Sequence, residues 1–290
     1  MKVVDQESLK LLQNQYYLVR ILFLRALAFI YLVAFLVALH QNESLIGEHG
    51  LTPAMNLIQR YQPHIKSPQD AFLSHPTLFW FISPTTMNID RVSLVGSLLA
   101  FIVVIRGAAN IPIMFSLWLL YFSLVNVGQT WYSFGWESML LETGFLAIFL
   151  VPVLSLHRFP SLTPAPWVCV WGNRWLLFRI MLGAGMIKIR GDACWLDLTC
   201  MQFHYETQPV PNPLSVFYHN TPVWFHQVET MTNHVVELIA PWLLLVPERR
   251  VQMIAGMVQI LFQVTNYYCT ITVYPSYHIL YPIIPSYYAM

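Results

Sequence analysis

The sequence has few charged residues and no excess of either sign. Only 10% of its 290 residues are charged, with a formal net charge of +1 at pH 7, whereas soluble domains are about one quarter charged. A chain without a strongly basic surface is not expected to bind nucleic acid. Cysteine is also scarce, since four residues are too few for a disulfide scaffold. The sequence also lacks a Gly-rich phosphate loop and a nucleophile elbow.

Apolar residues, in contrast, are abundant. The chain is 57% hydrophobic and 15% aromatic, which is typical of a membrane protein whose Trp and Tyr side chains lie at the level of the lipid headgroups. We therefore predict an all-α fold, namely a polytopic transmembrane helix bundle of about five to seven spans. Its lumenal and cytosolic loops are expected to be short.

Hydrophobic runs indicate where the chain crosses the membrane. They lie at about 18–39, 92–105, 111–127, 139–156, 175–190, 233–247 and 251–273. The first run has no obvious small-residue cleavage site, so we interpret it as an uncleaved signal anchor. Lys and Arg near the ends of the runs favour a cytosolic N-terminus. In that orientation residues 191–232 form a lumenal connector, and 1–290 is a single membrane domain.

The connector contains three alternating prolines, Pro209, Pro211 and Pro213. No helix can continue through them, and the residues between them are restricted to extended conformations. Pro222 then opens a new helix with Thr221 as its N-cap. The sequence therefore predicts a rigid connector between two helices.

Aromatic side chains are concentrated in and around this connector: Trp195, Phe203, Tyr205, Phe217, Tyr218 and Trp224. They have two interpretations. They either anchor an apolar protein client or form an interfacial belt that holds the protein at its depth in the membrane.

The helix after Pro222 carries a polar stripe on one face, made of His226, Glu229, Asn233 and Glu237. Such a stripe cannot face lipid. One interpretation is hydrogen bonding between helices, with Lys188 or Arg190 neutralising Glu237. Another is a substrate or client cavity. The spacing also permits a metal site of His226, Glu229 and Glu237, but no second ligand-bearing helix is evident, so we predict no metal.

Two further features concern covalent modification. Cys194 and Cys200 lie on the predicted lumenal side, where oxidation is permitted, and they either form a short disulfide loop or remain free thiols. Their spacing is not that of a CxxC redox motif. Asn42-Glu43-Ser44 is a possible glycosylation sequon, although it lies close to the first span.

Four long blocks of the sequence resemble the lipase maturation factor family across about 135–274. These blocks are GWESMLLETGFLAIF, RWLLFRIMLGAGMIKIRGD, CWLDLTCMQFHYETQPVPNPLSVFYHNTPVWFH and VETMTNHVVELIAPWLLLVPERR. The resemblance implies a polytopic protein of the endoplasmic reticulum membrane. No enzymatic activity is established for the family, so we predict that the chain is not an enzyme and has no cofactor. Such proteins help secreted lipases, typified by lipoprotein lipase, to fold and to assemble as active dimers. The candidate motif or client-contact residues are His204, Tyr205, Glu206, Thr207, Gln208, Pro209, Pro211, Asn212, Pro213 and Trp224.

The sequence departs from the family pattern at its end. The family continues into more membrane sequence and a sizeable lumenal region, whereas this chain closes with CTITVYPSYHILYPIIPSYYAM, so we expect the C-terminal lumenal region to be absent. The family's membrane region is distantly similar to that of the vitamin K-dependent carboxylase. The alternative function is therefore a membrane enzyme of that class, with Lys188 as a buried base and the polar stripe lining its cavity.

Overall fold

The structure is a computed structural model that describes residues 17–65, 67, 70–71, 73, 75–158, 165–207 and 215–269. Every regular element in these ranges is helical, and no strand occurs within them. The chain divides into two compact units, 1–170 and 171–290, and each is described by itself.

Before the boundary helix, the longer α-helices in the described residues of the first unit are α1 (Tyr17–Ile46), α2 (Ala54–Tyr61), α3 (Thr86–Arg106), α4 (Ile111–Val127) and α5 (Gly135–Ile148). Helix α6 (Trp167–Arg190) crosses from the first unit into the second. The second unit continues with α7 (Ala193–Leu196), α8 (Met201–His204), α9 (Ser215–His219), α10 (Val223–His234), a π-helical turn (Val235–Ile239), α11 (Ala240–Leu243) and α12 (Arg249–Cys269).

Local sequence explains the limits of α3 and α4. Thr85 caps α3 by accepting a hydrogen bond from the backbone N–H of Asn88, and Gly107 ends the helix in the left-handed conformation at φ 63°. The side chain of Asn110 caps α4 by accepting from the N–H of Ile113. The predicted run at 111–127 therefore coincides with one capped helix.

The core of the first unit is built on aromatic contacts between α1 and α4. The Tyr121 ring meets Tyr31 and Phe35 edge-on, with centroids 5.8 Å and 5.5 Å apart. On α3, Gly96 lies so close to the Phe35 ring that any Cβ there would overlap it. The glycine thus allows α3 to approach α1 closely, and this close packing favours the dispersion contacts that hold a helical bundle together in a membrane.

The architecture agrees with the predicted helical membrane bundle. By length and composition, Leu18–Ile46 and Thr86–Arg106 are sufficient to cross a membrane, and Ile111–Val127 is a shorter apolar helix. Many apolar side chains on these helices face outward, as lipid contact requires; Leu22, Leu98 and Phe101 are each more than half exposed.

Two local predictions need correction. The run at 139–156 is not one helix, because α5 ends at Ile148 and Pro152 follows. The carbonyl of Pro152 instead accepts a hydrogen bond from the N–H of Ile111 at 3.1 Å. Thr221 does not cap α10: its hydroxyl donates to the Tyr218 carbonyl at 2.7 Å, and Pro222 occupies the N-cap position without a side-chain bond.

Candidate functional site

A buried ion pair lies within the second unit. Lys188, near the end of α6, donates to Glu237 Oε1 at 2.6 Å and to Asn233 Oδ1 at 3.1 Å. Asn233 Nδ2 completes the set by donating to Glu237 Oε2 at 3.1 Å. Lys188 and Glu237 are each only 4% exposed. Their charges are therefore compensated inside the protein, which is the arrangement that buried charges require.

A π-helical turn brings Glu237 into this position. Pro241 has no backbone N–H, so the Glu237 carbonyl cannot receive the usual helical hydrogen bond. The helix widens there, and Ala240 N–H donates to the carbonyl of Val235, five residues earlier. On α6, Gly185 admits the widened turn, since a Cβ there would lie 2.6 Å from Leu238 Cδ2 and 3.1 Å from Glu237 Cβ.

The segment after α6 closes over the ion pair. The Lys188 ammonium lies 5.1 Å from the centroid of the Trp195 ring, within cation–π range. The Trp195 carbonyl accepts a hydrogen bond from Nε2 of His234 at 2.9 Å. The structure joins Cys194 and Cys200, the two cysteines flanking this turn, in a disulfide with Cα atoms 4.7 Å apart. Cys194 carbonyl also accepts from the N–H of Cys200, so the loop is held by both backbone and side-chain links.

A second set of polar contacts joins residues of the segment 191–222 to α10. Tyr205 donates to Glu229 Oε1 at 2.7 Å, and His226 Nδ1 lies 3.2 Å from Glu229 Oε2. Thr221 Oγ1 lies 3.3 Å from the other ring nitrogen of His226. Tyr205 and His226 are buried. These contacts fasten the residues on both sides of the proline segment to the same helix.

The predicted polar stripe therefore divides into two sets of contacts. Asn233 and Glu237 bind Lys188, while His226 and Glu229 bind Tyr205 and Thr221. Of the two cations considered for Glu237, the structure selects Lys188; Arg190 is exposed. Within the described part of the chain, no group of three or more His, Cys, Asp or Glu residues could hold a metal ion.

The other candidate residues lie around these contacts. Glu206 Oε1 lies 3.2 Å from Nε2 of His219, and the Thr207 hydroxyl donates to the His204 carbonyl at 3.0 Å. Trp224 is 63% exposed. Gln208, Pro209, Pro211, Asn212 and Pro213 lie outside the described residues. Sequence reasoning did not predict that Trp195 contacts Lys188 or that Tyr205 binds Glu229. It also did not predict the widened turn, although Pro241, four residues after Glu237, was a signal for it.

His204 should make the stability of the protein depend on pH. Burial, aided by the nearby Lys188 charge, lowers the pKa of His204 to about 4 from 6.5. The unfolded chain therefore takes up a proton as the pH falls below about 6.5, while the folded chain resists until about 4, so stability is lost across that window. We expect a loss of about 1–3 kcal/mol, measured as the difference in pH dependence of thermal unfolding between the native chain and His204→Gln. His157→Gln, at an exposed position, is the control, and identical pH profiles for all three proteins would contradict the assignment.

The possible glycosylation site at Asn42 is buried in the structure. Asn42 is 0% exposed, lies within α1 and accepts a hydrogen bond from Tyr132 Oη at 2.7 Å. An oligosaccharide cannot be attached without breaking this packing, so endoglycosidase treatment should leave the electrophoretic mobility unchanged. As a positive control, Pro222→Ser creates a sequon at the exposed Asn220 and places a residue favoured at helix N-caps there. A mobility shift that Asn42→Gln abolishes would refute this prediction.

Comparison with known proteins places this helical membrane domain in a family. Residues 18–273 match the family described as the lipase maturation factor transmembrane domain. The chain is 53% identical over 259 residues to Lipase maturation factor 1 of Bos taurus, covering 88% of this chain and 46% of that protein. It is 52% identical over 252 residues to Lipase maturation factor 1 of Homo sapiens, covering 86% and 44%. With Lipase maturation factor 2 of Xenopus tropicalis it shares 35% identity over 255 residues, covering 85% and 36%.

The chain therefore belongs to the lipase maturation factor family. It spans less than half the length of these relatives. No solved structure matches it.

Proposed function

We propose that the chain acts as a maturation factor in the endoplasmic reticulum membrane, where it assists the folding and dimer assembly of secreted lipases such as lipoprotein lipase. The family assignment and the names of its relatives support a role in lipase maturation. In this proposal the N-terminus is cytosolic, the chain crosses the membrane several times, and residues 191–232 lie in the lumen.

The charges around the end of α6 support a position for this segment outside the hydrocarbon region. Arg190, Asp192 and Asp197 are exposed, and exposed charges are strongly disfavoured in the hydrocarbon region. His234, at the end of α10, is bonded to Trp195 in the same segment. The membrane surface therefore lies near His234, and the preceding ten residues of α10 extend about 15 Å away from it.

The single observation that carries the proposal is an apolar stripe on this projecting helix. Trp224, Val228 and Met231 share one face at spacings of four and three, and they are 63%, 55% and 52% exposed. Exposed apolar groups clustered on one helix face mark interaction surfaces. The opposite face carries His226 and Glu229, so the contacts described above hold the helix in place while the stripe remains available to a client.

The test is secretion of active lipase. Cells lacking the endogenous factor would express lipoprotein lipase with this chain, with the bovine relative as positive control or with an empty vector. We expect this chain to raise secreted lipase activity and the dimeric fraction above the vector level. If it matches the vector while the relative succeeds, the proposed function of this chain is rejected.

Variants locate the surface. Substituting Trp224, Val228 and Met231 together with serine should reduce secreted activity about tenfold, which corresponds to losing one well-packed contact cluster. The matched control substitutes serine at Gln227 and Thr232, two exposed polar positions of the same helix. The comparison requires equal protein levels of both variants in the membrane fraction. Equal secreted activities would show that the apolar stripe does not bind the client.

A further inference from the structure

A separate group of polar side chains is buried within the first unit. Asn42 on α1 and Tyr121 on α4 are 0% exposed, and Glu137 in the first turn of α5 is 2% exposed. Tyr132, between α4 and α5, donates to Asn42 Oδ1 at 2.7 Å. Polar groups in such an interior normally have hydrogen-bond partners.

Aromatic contacts and electrostatic interactions place these side chains in one cluster. The Tyr121 ring lies 6.5 Å from Tyr132 and 6.5 Å from Trp136, measured between centroids. The Glu137 carboxyl interacts electrostatically with both Tyr121 and Tyr132. Its other interactions are with the backbone amides of Phe134 and of its own residue, which is the position of an acid in a helix capping box.

Three atoms of this cluster have no hydrogen-bond partner among the described residues: Asn42 Nδ2, Tyr121 Oη and Glu137 Oε2. Asn42 Nδ2 is a hydrogen-bond donor, the carboxylate oxygen of Glu137 is an acceptor, and the Tyr121 hydroxyl can donate or accept. A bound cation would satisfy Glu137 but would face the Asn42 N–H group with the wrong polarity. The complementary ligand must accept a hydrogen bond from Asn42 and donate one to Glu137, and water does both.

We propose that an internal water molecule binds in this cluster, accepting hydrogen bonds from Asn42 Nδ2 and Tyr121 Oη and donating one to Glu137 Oε2. Buried waters typically make about three hydrogen bonds to polar groups that are otherwise unsatisfied, and this set offers three. Glu137 is 2% exposed, and burying a carboxylate oxygen without a hydrogen-bond partner is unfavourable. A hydrogen bond donated to the carboxylate offsets part of that cost.

The direction in which one substitution changes the melting temperature tests the proposal. Tyr121→Phe removes the hydroxyl and leaves the ring. If the hydroxyl binds water, its loss lowers the melting temperature of the full chain in detergent micelles by about 2–4 °C. If the hydroxyl has no partner, its removal relieves an unfavourable burial and the melting temperature stays constant or rises. Tyr132→Phe is the matched control. It removes a direct hydrogen bond to Asn42, so its melting temperature should fall whether or not the Tyr121 hydroxyl binds water.

A double-mutant cycle then tests whether one water joins two side chains. Glu137→Gln removes the carboxylate charge and keeps the shape of the side chain. If the water bridges Tyr121 and Glu137, the melting temperature of the double variant should fall by less than the sum of the decreases caused by the two single substitutions. Additive losses, or a Tyr121→Phe variant as stable as the native chain, would overturn the proposal.

Discussion

Replacing Lys188 with methionine should strongly destabilise the second unit. The substitution removes a buried ammonium that donates to Glu237 and Asn233, and it leaves the Glu237 carboxylate buried without its cation. Breaking a buried pair from one side costs about 3–5 kcal/mol. The measurement is the unfolding free energy of the purified chain in detergent micelles, with Arg190→Met, an exposed cation two residues further on, as control.

Removing both charges should cost much less than removing one. In the double variant Lys188→Met and Glu237→Leu, no uncompensated charge remains, so most of the lost stability should return. This variant also separates the two candidate functions. If the ion pair is purely structural, the double variant should recover lipase maturation together with stability. If Lys188 is a general base, the double variant should be stable but inactive. Stability losses that simply add would show that Lys188 and Glu237 do not depend on each other.

The spacing of residues on one helix was enough to predict part of this site. His226, Glu229, Asn233 and Glu237 recur at three and four residues, so a helix must place them on one face, and the cost of a charge facing lipid turns that face inward. This reasoning also limited the cation for Glu237 to Lys188 or Arg190. The choice between those two depends on the orientation of the last turn of α6, which local sequence does not determine.

Contacts between distant residues were the part that sequence reasoning could not supply. Tyr205 binds Glu229 across 24 residues, and Asn42 accepts from Tyr132 across 90. In both cases the partner is set by how the chain returns after a loop, and no periodic pattern encodes that path. The sequon at Asn42 illustrates the consequence, since a motif of three residues marks a possible site but contains no information on the packing that buries the asparagine.

The ends of the helices could not be predicted for a related reason. Hydropathy marks the apolar part of a helix, whereas its ends depend on capping groups and on proline. Thr85, Asn110 and Gly107 define helix ends through individual hydrogen bonds or a single backbone angle. The widened turn at Val235–Ile239 likewise depends on the missing N–H of Pro241. Average hydrophobicity over a window contains no information on such single-residue effects.

The second large effect is expected from Gly144→Ala in the core of the first unit. A Cβ at this position on α5 would overlap the hydroxyl oxygen of Tyr31 on α1. Overpacking of this kind costs about 1–3 kcal/mol, because neighbouring side chains must leave their preferred rotamers or the helices must separate. The measurement is again the free energy of unfolding in micelles.

A second substitution identifies the cause of that loss. Tyr31→Phe deletes the overlapping oxygen and sacrifices only a long hydrogen bond of 3.4 Å to the Leu140 carbonyl, so the double variant should recover part of the stability that Gly144→Ala removes. Gly256→Ala on α12 is the matched control, since its Cβ would meet no atom within 4 Å. Alanine is the better helix former by up to about 1 kcal/mol, so this variant should be as stable as the native chain or slightly more so. Equal losses at Gly144 and Gly256, or a Tyr31→Phe substitution that makes the Gly144→Ala variant worse, would show that close contact between α1 and α5 is not what requires glycine.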